Sequence, residues 1–204
     1  MDWILLIYSL PSQPSRKRAY VWRELKRLGA IYLRDGVALL PRSPALEERV
    51  QAIVERVAEY DGSAELVLSP NFQDSDPARF VTRFQNDRGE EYRELYRECV
   101  HFLRDVLEGV DARAFGFPDV DKLESELGRL QRWREQIRDR DYFSAQGLVR
   151  VSEILEKCER AFETFASQAS EREKTQESRE DDDVFERLGG HSDSNEPLPE
   201  DLPL

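Results

Sequence analysis

The chain has 204 residues, of which 39% are hydrophobic and 35% charged, and Asp and Glu outnumber Lys and Arg by 42 to 30. This composition predicts a folded protein with one substantial domain or two small ones. The net charge of −12 excludes a surface that is basic throughout, so contact with a polyanion would need a local patch. Two cysteines and two histidines, spaced as they are, predict neither a disulfide framework nor a metal site.

The first element is an apolar run of strand length, residues 3–10, which fits a central strand buried on both faces. Pro11 and Pro14 end it. The run is too short for a transmembrane helix, and no basic segment or cleavage site accompanies it. We therefore expect no signal peptide and no membrane partner. We expect a cytoplasmic location.

A helix is predicted next, with Ser15 as its N-cap, an end near Leu28 and Gly29 as its stop. At 100° per residue, one apolar face collects Val21, Leu25 and Leu28. Trp22 lies at the edge of that face, and we expect it to pack between helix and sheet. The opposite face is predicted to carry a stripe of Arg16, Tyr20, Arg23 and Arg27.

This helix concentrates positive charge in an acidic chain. Residues 1–42 contain eight Lys or Arg and three Asp or Glu. Arginine suits forked contacts to phosphate or to guanine edges, so six residues are candidates for binding nucleic acid or another anion. These are Arg16, Lys17, Arg18, Arg23, Lys26 and Arg27. The alternative is a basic face that is simply solvated.

The next forty residues or so complete an alternating pattern of strands and helices that covers about the first seventy residues. Two short strands, residues 30–33 and 37–40, flank an Asp-Gly turn, followed by a helix over residues 44–60 and a strand over 64–68. The order βαββαβ predicts a ferredoxin-like domain over residues 1–72, with both helices on one face of an antiparallel sheet. The strands are apolar on both sides, so the other face needs cover or a partner.

Residues 76–169 are predicted to form an antiparallel helical domain. Asp76-Pro77 is a helix start, a break is expected near residues 86–89, and two further apolar patterns cover residues 123–137 and 148–165. Cys99 and Cys158 lie in these patterns and are expected in the core. Residues 170–204 hold four basic and twelve acidic residues and are predicted to be a disordered tail. The fold class is thus α+β.

Several short segments resemble the N-terminal domain of the chromate-resistance regulator family ChrB. They are Leu10-Pro11, Val21-Trp22-Arg23-Glu24-Leu25, Leu28-Gly29-Ala30, Asp35-Gly36-Val37 and Leu40-Pro41, with an Arg-Asp-aromatic element at residues 138–143. The resemblance covers about residues 1–168. It implies chromate-responsive transcriptional control of an efflux operon and promoter DNA as the partner. Longer members of the family carry a second, C-terminal domain.

The sequence does not predict an enzyme or a cofactor. A weaker resemblance to a small CRISPR-associated nuclease subunit lacks the required Asp, because the first strand ends in Tyr8-Ser9-Leu10-Pro11. Asp139 and Asp141 alternate with arginines, a pattern typical of ion pairs at a helix junction. No phosphate-binding loop, dinucleotide fingerprint or nucleophile motif is present.

The sequence thus predicts a non-enzymatic, chromate-responsive DNA-binding regulator, with a homodimer suggested by the two-faced strands and long helices. The alternative is a non-catalytic protein-interaction module whose basic helix docks an acidic partner, or this chain's own tail. A third hypothesis is direct binding of the chromate oxyanion by the same arginines.

Overall fold

The structure is a computed structural model that describes residues 2–72, 78–111 and 117–189, without the side chains of 110, 111, 117, 118 and 176–189. It is a mixed α+β protein, as predicted, with four strands and five helices in these ranges. In chain order they are β1 Trp3–Ser9, α1 Ser15–Arg27, β2 Ile31–Arg34, β3 Val37–Pro41, α2 Pro44–Glu59, β4 Ser63–Leu68, α3 Ala78–Asp111, α4 Phe117–Arg138 and α5 Leu148–Gly189.

The four strands form one sheet in the order β2-β3-β1-β4, and every neighbouring pair is antiparallel. The apolar strand β1 is central, as its sequence predicts, with Leu5 opposite Leu39 of β3 and Val67 of β4. Gly36 turns the β2–β3 hairpin at φ +71°, and its carbonyl accepts a hydrogen bond of 2.7 Å from the Tyr8 amide. A side chain at this turn would strike the Tyr8 backbone, so glycine is required.

Helices α1 and α2 both cover one face of the sheet. Ile4 and Leu6 point from β1 into a core shared with Val21 and Leu25 of α1 and Val50 of α2. All five side chains are inaccessible to water. Burying each contributes about 1.5–3 kcal/mol, and this sum holds the two helices on the sheet.

The opposite face of the sheet is partly covered by the first turns of α3. Trp3 of β1 stacks on Phe84 at 5.8 Å and 11°, and Phe80 meets the same indole edge-on at 5.7 Å. Further along this face, Ile7 and Val67 remain 37% and 36% exposed. The chain therefore supplies part of the cover that the apolar strands require.

Helices α3, α4 and α5 pack pairwise around a second core. Cys99 and Cys158 are fully buried in it, as predicted. Helix α3 runs unbroken through residues 86–89, so the expected break is wrong. Arg88 is buried there, and packing overrides the weak helix propensity of Asn86 and Gly89. The predicted helix start at Asp76-Pro77 lies outside the described residues.

Helix α5 continues to Gly189, which differs from the disorder predicted from residue 170 onward. The added segment has no Gly or Pro before Gly189 and is rich in Glu, Arg, Lys and Gln, which are strong helix formers. Its acidity led to the prediction of disorder, but charge alone does not stop a helix that grows out of a packed one. Residues 190–204 lie outside the described part of the chain.

Candidate nucleic-acid interface

Helix α1 is fixed at its C-terminal end by a Schellman motif. The Gly29 amide donates to the Lys26 carbonyl at 2.9 Å, and the Ala30 amide donates to the Leu25 carbonyl at 3.0 Å. Gly29 has φ +76°, as the motif requires. At the other end Pro14 is the N-cap residue, so the prediction of Ser15 as N-cap is wrong and Ser15 is the first helical residue.

The inward face of α1 is the predicted one, since Val21, Leu25 and Leu28 are all buried. Tyr20 differs from its prediction, because it is half-buried and does not lie on the outward arginine stripe. Its ring meets the ring of Tyr60 edge-on, with centroids 6.0 Å apart. Tyr20 therefore helps to join α1 to α2.

Three of the six predicted binding residues already have acidic partners within the chain. Lys17 pairs with Asp61 at 3.4 Å, and Lys26 pairs with Asp87 at 3.8 Å. Arg27 pairs with its own helix neighbour, Glu24, at 2.6 Å. These partners reduce the positive charge that the three residues offer to an external anion.

The other three predicted residues are exposed and available. Arg16, Arg18 and Arg23 form no ion pair with another described residue. Arg18 lies next to the apolar face in the helical sequence, yet its side chain points into water. Arg16 and Arg23, seven residues apart, share the outward face of α1, and Arg18 adds a cation on the flank next to the apolar face.

The exposure of Trp22 contradicts the sequence prediction most clearly. We expected Trp22 to pack between helix and sheet, but half of the residue is exposed, 50% by relative area. It lies between Arg18 and Lys26, four residues before and after it, on the flank between the apolar face and the outward stripe. In the sequence, the four-residue spacing of Trp22 from Arg18 and Lys26 indicates that Trp22 lies beside cations and could be exposed.

The cationic surface extends beyond α1 through a residue that the sequence analysis did not select. Arg83 of α3 donates from Nη2 to the Tyr32 carbonyl of β2 at 2.6 Å. The Nζ of Lys26 lies over the Tyr32 ring, 5.8 Å from its centroid. Lys26, Tyr32 and Arg83 thus connect α1 across the edge strand to the start of α3.

The loop between α4 and α5 holds the end of α1 in place. The Tyr142 hydroxyl donates to the Leu28 carbonyl at 2.6 Å, and burial raises the pKa of Tyr142. Arg140 of the same loop binds Glu91 at 2.6 Å. The Asp141 carboxylate accepts from the Ala145 amide at 2.9 Å and from the Tyr92 hydroxyl at 3.2 Å, so it has a structural role through hydrogen bonds and not through the predicted ion pair with an arginine.

A cleft of about 590 Å³ lies between α3 and the start of α5. Arg150 stacks on Tyr96 there, with its guanidinium carbon 4.4 Å from the ring centroid. Arg93 in the same cleft pairs with Glu90 at 3.3 Å. Positive and negative side chains alternate along the cleft, so the cleft has a mixed charge, whereas the α1 surface is mainly positive.

The two cysteines meet in the bundle core. The Cys158 thiol donates to the Cys99 carbonyl at 3.5 Å, and hydrogen bonding to Cys99 together with burial raises the pKa of Cys158. Among the described residues, no group of three or more His, Cys, Asp or Glu is placed to hold a metal ion. In the same part of the chain, no helix combines the length and apolarity needed to cross a bilayer.

Comparison with known proteins agrees with the resemblance seen in the sequence. The family model described as "Protein ChrB, N-terminal" matches residues 18–176. Protein ChrB of Cupriavidus metallidurans is 38% identical over 92 residues, which are 45% of this chain and 28% of that protein. The aligned segment thus spans less than a third of this relative. No solved structure matches the chain significantly.

The family model includes most of α1, the whole sheet after β1 and the packed part of the helical bundle. It covers well over half of the sequence. The chain therefore belongs to the ChrB chromate-resistance family, through the N-terminal region of that family.

Proposed function

We propose that this protein is a cytoplasmic, non-catalytic regulator of chromate resistance that binds the promoter of an efflux operon through the outward face of α1. The observation that carries the proposal is the set of exposed arginines that form no ion pair with a described residue, Arg16, Arg18 and Arg23. The whole chain has a net charge of −12, so this concentration of free cations is local. A local cationic face on an acidic protein attracts a polyanion to that face and so favours one orientation of the protein on the polyanion.

DNA suits this face by charge and by dimension. A helix of 13 residues is about 20 Å long, comparable with the width of a duplex. Each neutralised phosphate releases counterions, which makes such binding strongly salt-dependent. Arginine can also make paired hydrogen bonds to a guanine edge, so the same side chains can serve both affinity and sequence preference.

We also propose a ferredoxin-like domain and a homodimer. The βαββαβ element order and the strand order β2-β3-β1-β4 support the ferredoxin-like assignment. The exposed Ile7 and Val67 support association, because they form an apolar patch next to the open edge of β4. A second copy that paired there would bury this patch.

The effector in this proposal is the chromate oxyanion. Chromate is a tetrahedral dianion, and guanidinium groups bind such anions through charge-assisted hydrogen bonds. If chromate competes with phosphate for the α1 arginines, it releases DNA. Release then needs no group outside the basic helix.

The test is fluorescence anisotropy of labelled promoter DNA titrated with the purified protein, with unlabelled unrelated DNA as competitor. We expect sequence-preferring binding that weakens as salt rises and is released by chromate, with sulfate at equal ionic strength as the control anion. Binding that resists chromate would contradict the effector assignment. Absence of binding to any DNA would contradict the proposed function.

The alternative is a protein-interaction module, and the internal ion pairs of Lys17, Lys26 and Arg27 favour it. These pairs show that the cations of α1 accept carboxylate partners. If the acidic segment 170–204 occupies the outward face, its deletion should raise affinity for an anionic partner. Unchanged affinity in the deletion variant would count against docking of the tail.

A further inference from the structure

Trp22 has an environment unlike that of the other tryptophans. Trp3 is 3% exposed and stacks on Phe84, and Trp133 packs against the core of the helical bundle. Trp22 is 50% exposed, and its ring pairs with no other described aromatic ring. Tryptophan is highly buried on average in folded proteins, so a half-exposed indole on a regular helix calls for a partner outside the chain.

The neighbours of Trp22 define the chemistry of that partner. Arg18 and Lys26 lie one turn away on either side, at a separation of about 6 Å between Cβ atoms. Arg23 is the next residue and is also exposed. The only carboxylate within α1 is Glu24, which is half-buried and pairs with Arg27. Lys26 is itself paired with Asp87 of α3, so the cations beside the indole that form no ion pair with a described residue are Arg18 and Arg23.

A partner for this face needs a negative charge and, close to that charge, a flat apolar surface. An acidic peptide offers the charge without a regular flat ring. A nucleic acid offers both in every repeat, a phosphate for an arginine and a base for an aromatic ring. Charge complementarity and the exposed ring thus favour nucleic acid over protein.

We infer that Trp22 stacks on an unpaired or unstacked nucleobase, while Arg18 and Arg23 neutralise the phosphates beside it. This inference rests on the proposed DNA-binding function and adds the kind of site that is preferred. Inside an intact duplex a base has both faces covered by its neighbours. A single strand, or a duplex with a mismatch that frees one base, is therefore bound more tightly than the matched duplex.

The experiment uses the full chain and three variants: Trp22→Ala, Trp22→Phe and Val149→Ala as a control. Val149 is an exposed apolar residue of α5, so the control removes apolar surface far from α1. Each protein is titrated into labelled single strand, matched duplex and centrally mismatched duplex of the promoter sequence. Tryptophan fluorescence is recorded in parallel with unlabelled DNA, and circular dichroism checks the fold.

We expect Trp22→Ala to weaken binding to the single strand and to the mismatched duplex by about tenfold or more. Trp22→Phe keeps a ring that stacks and should stay within about threefold of wild type. DNA should quench the fluorescence of the wild-type protein, and the quench should disappear in Trp22→Phe although affinity is kept. Val149→Ala should match wild type in every assay.

The experiment distinguishes failure of the proposed function from failure of the stacking inference. If the wild-type protein binds none of the DNAs, the proposed function fails and this inference fails with it. If it binds DNA and Trp22→Ala binds equally well, the function stands and stacking is refuted. Equal loss on matched and mismatched duplexes also refutes stacking on a freed base, since it assigns Trp22 to a groove contact. Quenching that persists in Trp22→Phe refutes it as well.

Discussion

Trp22 and Leu25 are three residues apart on α1 and lie in opposite environments. Leu25 is fully buried in the core that α1 shares with the sheet, whereas half of Trp22 is exposed. Truncating a buried leucine typically costs 2–5 kcal/mol, and changes at exposed residues stay within about 0.5 kcal/mol. Outward residues of α1 can therefore be changed to test binding without unfolding the protein.

The hydroxyl of Tyr142 connects the loop between α4 and α5 to the end of α1. Its hydrogen bond to the Leu28 carbonyl measures 2.6 Å, and burial raises the pKa of this tyrosine. Tyr142→Phe should lower the free energy of unfolding at pH 7 by about 1 kcal/mol, because the carbonyl loses its donor. Urea unfolding monitored by circular dichroism measures this loss.

The same residue predicts a pH dependence. Because the pKa of folded Tyr142 exceeds the value of about 10 in the unfolded chain, its stabilisation is complete below pH 10 and is lost as pH rises further. Wild type should therefore lose stability above pH 10 more steeply than Tyr142→Phe. Parallel pH profiles for the two proteins would contradict this account of the hydroxyl.

At the scale of elements, the end of α1 depends on Gly29. Its φ is +76°, and a Cβ placed there would lie 2.8 Å from Cβ of Arg140. Gly29→Ala should therefore destabilise the protein by about 2 kcal/mol or more. The causes are backbone strain at a positive φ and a clash with Cβ of Arg140, an atom that cannot move unless the Arg140 backbone moves. Thermal and urea unfolding give the size of the effect.

Gly89→Ala is the matched control for that change. Gly89 is helical, and an added Cβ would make only an ordinary contact of 3.6 Å with the Gln146 carbonyl oxygen. Alanine favours the helix by roughly 0.5–1 kcal/mol, so this variant should be more stable than wild type. Similar losses in both variants would show that the αL geometry of Gly29 is not what matters.

Most elements could be predicted from local patterns, and the errors have physical causes. The strands and the helices of the first 72 residues follow from apolar periodicity, Pro and Gly punctuation and the Asp-Gly turn. The unbroken α3 and the extension of α5 could not be predicted by the same means. At residues 86–89 tertiary packing overrides a weak helix propensity, and after residue 169 strong helix formers extend a packed helix although the acidic composition indicates disorder.

The candidate site was predictable in part. The basic character of α1 is a property of the sequence, but which cations remain free depends on partners far along the chain, such as Asp61 and Asp87. The exposure of Trp22 could not be predicted because this residue lies at the border of the apolar face, where the packing of α1 on the sheet decides which side chains are buried. Arg83 joins the surface only through the fold.

At the scale of the whole molecule, α3 packs its first turns on the sheet and later turns in the bundle core, and a charged junction lies between these two regions. Arg88 is 3% exposed and donates to Glu91 at 2.7 Å, and Glu91 also accepts from Arg140 at 2.6 Å. The Nε and Nη1 atoms of Arg88 have no hydrogen-bond partner among the described residues. A carboxylate shared by two guanidinium groups anchors the loop that holds the end of α1.

The proposed interface requires that DNA binds α1 and not exposed cations in general. Cations elsewhere are also exposed, as Arg104 of α3 and Lys157 of α5 are, and neither forms an ion pair with a described residue. General electrostatic attraction would use these side chains as well as those of α1. A specific interface on α1 would not.

Two double charge reversals distinguish a specific interface from general attraction, with the affinity for promoter DNA measured by anisotropy at several salt concentrations. Arg18→Glu with Arg23→Glu alters α1, and Arg104→Glu with Lys157→Glu changes the net charge by the same amount on the helical region. We predict that the α1 variant loses at least about tenfold in affinity and that its salt slope falls by about 2, because two phosphate contacts are lost. The control should stay within about threefold of wild type. Equal losses in the two variants, or no loss in the α1 variant, would contradict the assignment of α1 as the DNA-binding element.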